Sequence, residues 1–323
     1  MFRLSCVARS LAAVTLAAGF AAPVFAQEIK LRAATFLPPN QSFGTVMKRW
    51  VDAANQRGKG IMQIDLVGPE AVPTPEQPNA VKAGVIDLHF GPPTFYRGTL
   101  IEAEVMSLAD LSAAEMKKNG SWDYLNKLHA EKMNVMLLTY MGDGVNFHIY
   151  TTKPALSSKD KPFDGFTLRA QPIYKAFFES IGAKTAMIVP GEVYTALERN
   201  MVQGYGWPLW GIKDLGWLKH TKYRYDPGFF NVAMSIMVNL DRYKKLDAKQ
   251  QAFLNEMGTF ADTEWPKWRK EAEGIEAAIQ KDGGVQVVDL GPGLRKQAHD
   301  AFWAELEKAS PTHVPALKKL VTR

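Results

Sequence analysis

Arg169 is the residue with the clearest potential for ligand chemistry in this sequence. It directly follows a short apolar strand, Phe166-Thr167-Leu168, so we expect its side chain to emerge near the end of a sheet. A guanidinium presents a planar pair of N–H donors that matches a carboxylate through two parallel hydrogen bonds. A structural ion pair with Glu192 or Glu198 is the alternative. Arg169 is therefore predicted to hold either an organic anion or an internal carboxylate.

Aromatic residues accompany this cation further along the chain. Trp207 lies between Gly206 and Pro208, in a predicted loop at a strand end, where large aromatic side chains often wall a pocket. Tyr205 belongs to the same segment and is predicted to line the site as well, with packing in the core or between domains as the alternative for both residues. Trp217 is predicted to be packing in the core.

Further candidates would supply shape and hydrogen bonds. Gln171 follows Arg169 closely, and the loop from Phe36 to Asn40 follows the first predicted strand and would close the opposite side. His148 is predicted to donate to an anion, with a satisfied buried histidine as the alternative.

No catalytic or metal-binding pattern is present. The sequence lacks GxSxG, HExxH, a P-loop and a GxGxxG after a strand. The six histidines show no metal-ligand spacing, and Asp143-Gly-Val-Asn146 lacks the acidic series of a calcium loop. We therefore predict no catalytic residue, no metal and no cofactor.

The segment 165–208 must position these side chains, and it reads as strand, helix, strand, helix, strand. That alternation predicts an α/β fold with parallel strands joined by crossover helices. In such sheets ligands bind beyond the carboxyl ends of the strands, which is where Arg169 and Trp207 fall.

Two further features suggest a two-part architecture. Phe147–Thr151 is predicted to cross between domains, and Ala233–Asn239 to return. A helical pattern opened by Asp247 continues to about Lys281, and at 1.5 Å per residue it would span about 50 Å, so it is expected to run along both domains. Pro266 inside it is expected to kink or break the helix.

The length of the chain and the pattern of its first 26 residues predict a protein of about two domains that is exported from the cytoplasm. Its 323 residues, 46% of them hydrophobic, suffice for about two domains. Residues 1–26 have a positive start with Arg3 and Arg9 and then an apolar run, typical of a signal peptide cleaved near Ala26/Gln27. The alternative of a membrane anchor is disfavoured because the apolar run is short for a spanning helix.

Cysteine content and charge exclude several classes of protein. Cys6 is the only cysteine and falls in the predicted signal peptide, so no disulfide, thiolate metal site or cysteine nucleophile is expected in the mature chain. The formal charge of +6 includes two signal-peptide arginines, which leaves 6 − 2 = +4. This excess is too small to indicate a nucleic-acid partner.

Four motifs in this order resemble a known family. They are Asp164-Gly-Phe-Thr-Leu-Arg169, Ser180-Ile-Gly-Ala183, Val189-Pro-Gly-Glu-Val-Tyr-Thr-Ala-Leu197 and Asn200-Met-Val-Gln-Gly204. Together with the long helix, they are similar to the extracytoplasmic solute-binding subunits of tripartite ATP-independent periplasmic (TRAP) transporters, the DctP-type family. The resemblance covers essentially the whole mature chain.

The resemblance implies a two-lobe periplasmic binding protein-like fold with crossover strands and a long helix spanning both lobes. Lobe I is expected to contain residues 27–147 and 237–280, and lobe II residues 148–236 and 281–323. Within the family, Arg169 would clamp the ligand carboxylate and Trp207 would contact the ligand. His148 falls near a position where many members carry a second arginine.

Trp207 and Tyr225-Asp-Pro-Gly-Phe229 look most like a branch that binds 2-oxo acids. Some members of that branch bind a metal ion through a glutamate just before the tryptophan. Here that position is Gly206, and the usual aspartate of the family's "DG" pair is Gln203. A metal ion is therefore not expected.

The sequence thus favours a periplasmic protein that captures an organic carboxylate and delivers it to integral-membrane TRAP subunits. An aromatic or 2-oxo/2-hydroxy monocarboxylate is the favoured ligand, and a sugar acid is the alternative. A secreted hydrolase on the same scaffold, and a binding protein that signals to a membrane sensor, are the other hypotheses.

Overall fold

The computed structural model describes residues 28–155, 158 and 160–323, so the predicted signal peptide lies outside the described residues. Within them the chain forms two sheets flanked by helices, as the predicted α/β fold requires. The strands are β1 Ile29–Thr35, β2 Met62–Val67, β3 Leu88–Gly91, β4 Val135–Met141, β5 Phe147–Thr151, β6 Thr167–Ala170, β7 Lys184–Met187, β8 Gly204–Pro208, β9 Tyr223–Asp226, β10 Met234–Asn239 and β11 Gln286–Asp289.

The α-helices cover the faces of these sheets. None of those described is long and apolar enough to cross a membrane. They are α1 Ser42–Arg57, α2 Gln77–Lys82, α3 Ala113–Asn119, α4 Ser121–Met133, α5 Pro172–Ser180, α6 Pro190–Glu198, α7 Leu240–Lys244, α8 Ala248–Asp282, α9 Gly293–Ala309 and α10 Val314–Val321.

The first sheet has the order β2-β1-β3-β10-β4. Strand β1 is parallel to β2 and β3, whereas β10 runs antiparallel between β3 and β4. The carboxyl ends of β1 and β3 therefore meet at one edge, and the loops that begin at Phe36 and Pro92 leave the sheet there.

The second sheet has the order β11-β9-β5-β8-β6-β7, with β6 parallel to both β7 and β8. This confirms the parallel strands with crossover helices predicted for residues 165–208. A proline at the start of α5 and of α6 sets each helix immediately after its strand, because proline suits the first helical turn. The ends of β6, β7 and β8 thus share an edge.

Two antiparallel segments join the sheets. Residues 142–146 lead from β4 to β5, and residues 227–233 lead from β9 back to β10. They are hydrogen-bonded side by side: the Val232 amide donates to the Val145 carbonyl (2.8 Å), and the Phe147 amide donates to the Phe230 carbonyl (2.9 Å). The crossings therefore lie beside the strands rather than within Phe147–Thr151 as predicted, because β5 pairs wholly inside the second sheet.

The lobe boundaries also differ in places from those expected. Strand β10 belongs to the first sheet from Met234 onward, three residues before the predicted return at 237. The last helix, α10, packs on the first lobe, where the Tyr124 hydroxyl meets His313 Nδ1 (3.0 Å) and the Asn119 amide donates to the Leu320 carbonyl (2.7 Å). Residues 281–323 thus do not all pack on lobe II.

Helix α8 spans both lobes in one piece of 35 residues. Asp247 caps it, as predicted. Near its start, the Trp50 indole donates to the Met257 carbonyl (2.9 Å), and near its end the Gln280 amide donates to the Leu209 carbonyl (2.7 Å). The helix continues through Pro266, so of the two expected outcomes the break does not occur, and a kink stays a prediction. Burial of Trp265 and Trp268 on either side stabilises the helix against one lost backbone hydrogen bond.

Two crossing segments, residues 142–146 and residues 227–233, join the sheets, and Gly142 in the first of them provides a test of how closely the two segments pack. Its φ is +124°, and a Cβ there would lie 2.1 Å from the Val232 carbonyl oxygen in the second crossing segment. We expect Gly142→Ala to lower the free energy of unfolding by about 3 kcal/mol, through strain and this clash together. Urea unfolding of the purified variants measures the loss.

Gly165→Ala is the matched control. Gly165 also has a positive φ, +78°, but a Cβ at this position would have no other atom within 4 Å. It should lose only about 1 kcal/mol from strain. Equal losses for the two variants would contradict tight pairing of the crossing segments.

Candidate functional site

A cleft lies between the two sheets, where the carboxyl ends of β1 and β3 face the carboxyl ends of β6, β7 and β8. Its outer part is about 720 Å³ and its inner part about 40 Å³. The two parts share lining residues from both lobes, namely Phe36, Thr94, Phe95, Gln171 and Pro190, and are therefore continuous. Ligand sites in α/β proteins are commonly found in such a position, beyond the carboxyl ends of the strands.

The inner cavity has a mainly apolar lining, much of it aromatic. Four lining residues are polar: Thr94, Glu104, Ser107 and Gln171. The others are Phe36, Phe43, Pro92, Pro93, Phe95, Phe147, Ile173, Tyr174, Pro190, Trp207, Pro208, Ala233 and Met234.

Arg169 lies directly behind this lining, at the end of β6, and is 0% exposed. Its Nε donates to the Ile188 carbonyl (2.8 Å), and its Nη1 donates to the Tyr174 hydroxyl (2.9 Å) and the Gly206 carbonyl (3.2 Å). The guanidinium carbon is 5.5 Å from the centre of a Trp207 ring. Tyr174 and Trp207 both line the inner cavity, so they separate the cation from it.

The charge of Arg169 has no carboxylate partner among the described residues. Its Nη2 has no hydrogen-bond partner in that part of the chain. Neither Glu192 nor Glu198 pairs with it, so the structural ion pair that the sequence left open does not form here. Burial lowers the pKa of the guanidinium, yet an arginine remains charged at neutral pH. The result is a buried, uncompensated cation.

Gly206 makes this arrangement possible. A Cβ at this position would lie 2.8 Å from the rings of both Tyr174 and Phe178. Without a side chain there, the Tyr174 hydroxyl reaches the Gly206 carbonyl (2.9 Å) and fixes the acceptor that Arg169 shares. The tyrosine therefore helps to orient the guanidinium.

Trp207 lies within β8 rather than in a loop at its end, which corrects the sequence-based expectation. Its indole N–H donates to the Trp210 carbonyl (2.9 Å), which holds the ring in place. Trp210 in turn stacks on Phe43 of α1, at a centroid distance of 5.1 Å, and contacts Trp265 of α8. Trp210 thus bridges the second lobe and elements that pack on the first.

Of the predicted site residues, Phe36, Gln171 and Trp207 line the inner cavity, and Arg169 lies behind it. Tyr205 does not line either part of the cleft. Tyr205 is fully buried in β8, two residues before Trp207 and therefore further from the carboxyl end of the strand. Its hydroxyl meets Thr221 Oγ1 (2.5 Å), and its ring stacks on Tyr150.

His148 and Asn40 are also placed away from the cavity. Side chains alternate between the faces of a strand, so Phe147 enters the cavity whereas His148 points to the opposite face. On that face, His148 Nδ1 lies 2.8 Å from Asp226 Oδ1. His148 therefore has an internal partner, as in the alternative of a satisfied histidine that the sequence left open. Asn40 is exposed and lines neither part of the cleft.

Sequence reasoning missed Tyr174, Phe95, Thr94 and Glu104. Thr94 and Phe95 lie in the loop after β3. The loop after β1 was selected because it follows a strand, and the same reasoning would have selected these two residues. Tyr174 gave no signal beyond helical spacing. Glu104 lies in the 3₁₀ helix Ile101–Leu108, part of an apolar run that sequence patterns did not assign.

The described residues contain no group of three or more His, Cys, Asp or Glu side chains that could hold a metal ion. What the site combines is one unpaired cation, a mainly apolar cavity and a few polar side chains at its wall. Such a combination suits the binding of an organic anion, and it contains no nucleophile paired with a base.

Two lobes that face each other across a cleft and are joined by two crossing segments define the class of two-lobe periplasmic binding proteins. A model of bacterial extracellular solute-binding protein family 7, DctP, matches residues 33–310. The chain belongs to this family, whose members are extracytoplasmic transport components and not enzymes. The hypothesis of a secreted hydrolase is therefore set aside.

Solved structures of low sequence identity share the fold. A TRAP solute-binding protein from Desulfovibrio salexigens with bound orotic acid has a TM-score of 0.79 at 18% identity, covering 90% of this chain and 97% of its own. One from Bordetella bronchiseptica, with calcium and picolinate at one of its sites, has a TM-score of 0.77 at 21% identity, covering 91% and 92%. A marine metagenome protein specific for aromatic acids, bound to 3-hydroxybenzoate, has a TM-score of 0.75 at 16% identity, covering 91% and 98%.

The pairing of His148 leads to a pH-dependent prediction. Burial pushes the pKa of Asp226 upward, but hydrogen bonds from His148 and Arg224 outweigh it and lower the pKa to about 2, from 3.8. Because the folded pKa is below the unfolded one, the stabilisation is present above about pH 4 and is lost as the pH falls toward 2. Asp226→Asn should therefore cost about 1–2 kcal/mol at pH 7, with the difference from the wild type shrinking between pH 4 and pH 2.

Chemical unfolding at a series of pH values measures this difference. Asp65→Asn, at an exposed position of β2, is the control and should stay within about 0.5 kcal/mol of the wild type. A loss for Asp226→Asn that is the same at pH 7 and pH 2 would rule out a stabilising role for the carboxylate charge.

Proposed function

We propose that this protein captures an organic monocarboxylate in the cleft between its lobes, with Arg169 as the residue that holds the carboxylate. The observation that carries the proposal is the buried guanidinium, which has an unused N–H group and no carboxylate partner among the described residues, beside a mainly apolar cavity. Buried charges are ordinarily paired, so a guest anion is the missing partner.

Energetics support the same assignment. Hydrogen bonds to charged groups contribute about 1.5–3 kcal/mol each, and more of this is retained where water is excluded. For a carboxylate to reach Nη2, the Tyr174 or Trp207 side chain must shift, because these two stand between Arg169 and the cavity. Ligand entry and reorientation of these rings are thus coupled.

The lining favours an aromatic or a 2-oxo/2-hydroxy monocarboxylate. Aromatic side chains such as Phe36, Phe95 and Trp207 offer ring faces and edges to a flat guest. A sugar acid would need hydrogen-bond partners for several hydroxyls, and only four lining residues of the inner cavity are polar. The aromatic acid bound by the marine metagenome relative lends support to this choice.

In the role proposed here, the loaded protein delivers its ligand to integral-membrane TRAP subunits. Membership of the family supports this partner. Residues 1–26 would direct export and be removed near Ala26/Gln27. Intact-mass measurement of the periplasmic protein should then give a chain that starts at Gln27, and retention of the first residues would contradict it.

Arg169→Leu tests the clamp. Removing the guanidinium should weaken binding of a benzoate-class or 2-oxo acid ligand by about tenfold to a hundredfold, the equivalent of one charge-assisted hydrogen bond from Nη2. Arg169→Lys keeps the charge but not the planar fork and should weaken binding by about tenfold or more. Calorimetry against a panel of organic acids gives the dissociation constants.

Arg57→Leu is the control, because Arg57 lies at the end of α1 over the ring of Phe260, away from the cleft. It should bind as the wild type does. Replacement of an unpaired buried cation by an apolar side chain should also leave Arg169→Leu folded, with its unfolding free energy within about 1 kcal/mol of the ligand-free wild type. Unchanged affinity in a folded Arg169→Leu protein would refute the proposed role of Arg169.

A further inference from the structure

A second buried ionisable group lies at the wall of the same cavity, on the opposite lobe. Glu104 of the 3₁₀ helix Ile101–Leu108 is 0% exposed and lines the inner cavity. It is a single acidic group in a cavity whose other polar lining residues, Thr94, Ser107 and Gln171, are neutral.

Neither carboxyl oxygen of Glu104 has a hydrogen-bond partner among the described residues. The nearest cation is Arg97, whose Nε lies 3.8 Å from Glu104 Oε1, too far for a hydrogen bond. Arg97 is itself hydrogen-bonded to Glu305 of α9. The hydroxyl of the neighbouring Tyr96 is bonded to His129 Nε2 (3.2 Å). Burial, only partly offset by Arg97, raises the pKa of Glu104 to about 8.

Either protonation state leaves this group unsatisfied. As an acid it carries an O–H donor without an acceptor, and as a carboxylate it carries acceptors without a donor. Buried polar groups are nearly always hydrogen-bonded, so an exception that faces a cavity indicates a missing partner. The Oγ1 of Thr94, on the same wall, is also buried without a partner among the described residues.

We propose that Glu104 recognises a neutral hydroxyl group on the ligand, so that the substrate class is a hydroxy-substituted monocarboxylate held at one end by Arg169 and at the other by Glu104. This inference rests on the proposed function, since it concerns the same cleft.

A hydroxyl fits better than either charged alternative. It can donate to the carboxylate or accept from the acid without adding a charge, whereas a second ligand carboxylate would have to be desolvated in a mainly apolar cavity. An ammonium group would have to be desolvated in a mainly apolar cavity and would lie near Arg97, a like charge. The hydroxyls of Thr94 and Ser107 on the same wall are suited to a neutral partner.

The test compares ligand pairs that differ by one group. Calorimetry at pH 7 with benzoate and its 3- and 4-hydroxy derivatives, and with butanoate and its 2- and 3-hydroxy derivatives, covers both favoured ligand classes. In at least one pair, the hydroxyl should tighten binding by about tenfold or more, as expected for one buried hydrogen bond. Isophthalate and 3-(aminomethyl)benzoate place a second carboxylate or an ammonium at the same position and should bind less tightly than 3-hydroxybenzoate.

Two variants test whether Glu104 causes the gain in affinity that the ligand hydroxyl gives. Glu104→Leu removes all hydrogen bonding at similar volume and should reduce the gain from the hydroxyl to less than about twofold. Glu104→Gln keeps a donor and an acceptor and should retain most of it. Each variant is first checked for folding by thermal unfolding; the ligand series on the wild type tests the proposal even if Glu104→Leu does not fold.

The outcomes separate this inference from the proposed function. If carboxylates bind and depend on Arg169, but no hydroxyl tightens binding, or the gain survives in Glu104→Leu, Glu104 is not the recognition group. Tightest binding of isophthalate or of the aminomethyl compound would likewise overturn the choice of a hydroxyl. If no carboxylate binds and Arg169→Leu changes nothing, the proposed function itself fails.

Discussion

An unpaired guanidinium, buried at the carboxyl end of a strand in the second sheet, is the constraint on which the rest of this structure depends. Its position requires β6 to end beside β8, where the Gly206 carbonyl accepts from Nη1, and requires glycine there so that Tyr174 can share that acceptor. Burial without a counter-charge is unfavourable for the empty protein. The fold therefore retains an energetic cost, and under the proposed function an anionic ligand would relieve it.

The connections between the lobes determine how such a guest could enter. Two hydrogen-bonded segments, 142–146 and 227–233, and the continuous helix α8 join the sheets. Helix α8 bonds to the crossing itself, because the Trp265 indole and Arg269 both donate to the Asp143 carbonyl (3.2 and 3.1 Å). Paired segments braced by a helix permit a hinge-like rotation more readily than a sliding motion. Opening is thus expected to be a rotation about this region.

The sequence predicted more of the fold than of the site, for a physical reason. Alternating strand and helix patterns are local, so the β6–β8 unit and Arg169 at its edge were accessible from residue order alone. The misplacement of His148 and Tyr205 has a different origin. Which face of β5 enters the cavity, and how far Tyr205 lies from the sheet edge, depend on strand register, which long-range pairing sets. Glu104 was missed because nothing in the sequence distinguishes it from Glu102 in the same apolar run, and only the fold shows which of the two lines the cavity.

The aromatic contacts at the boundary between the lobes also have a spectroscopic consequence. Trp210 is buried against Phe43 and Trp265, so its indole sits in an apolar environment only while the lobes remain together. Separation would bring water to this ring and shift its emission to longer wavelength. If the lobes separate, a change in tryptophan fluorescence is therefore expected from Trp210, one of the eight tryptophans of the sequence.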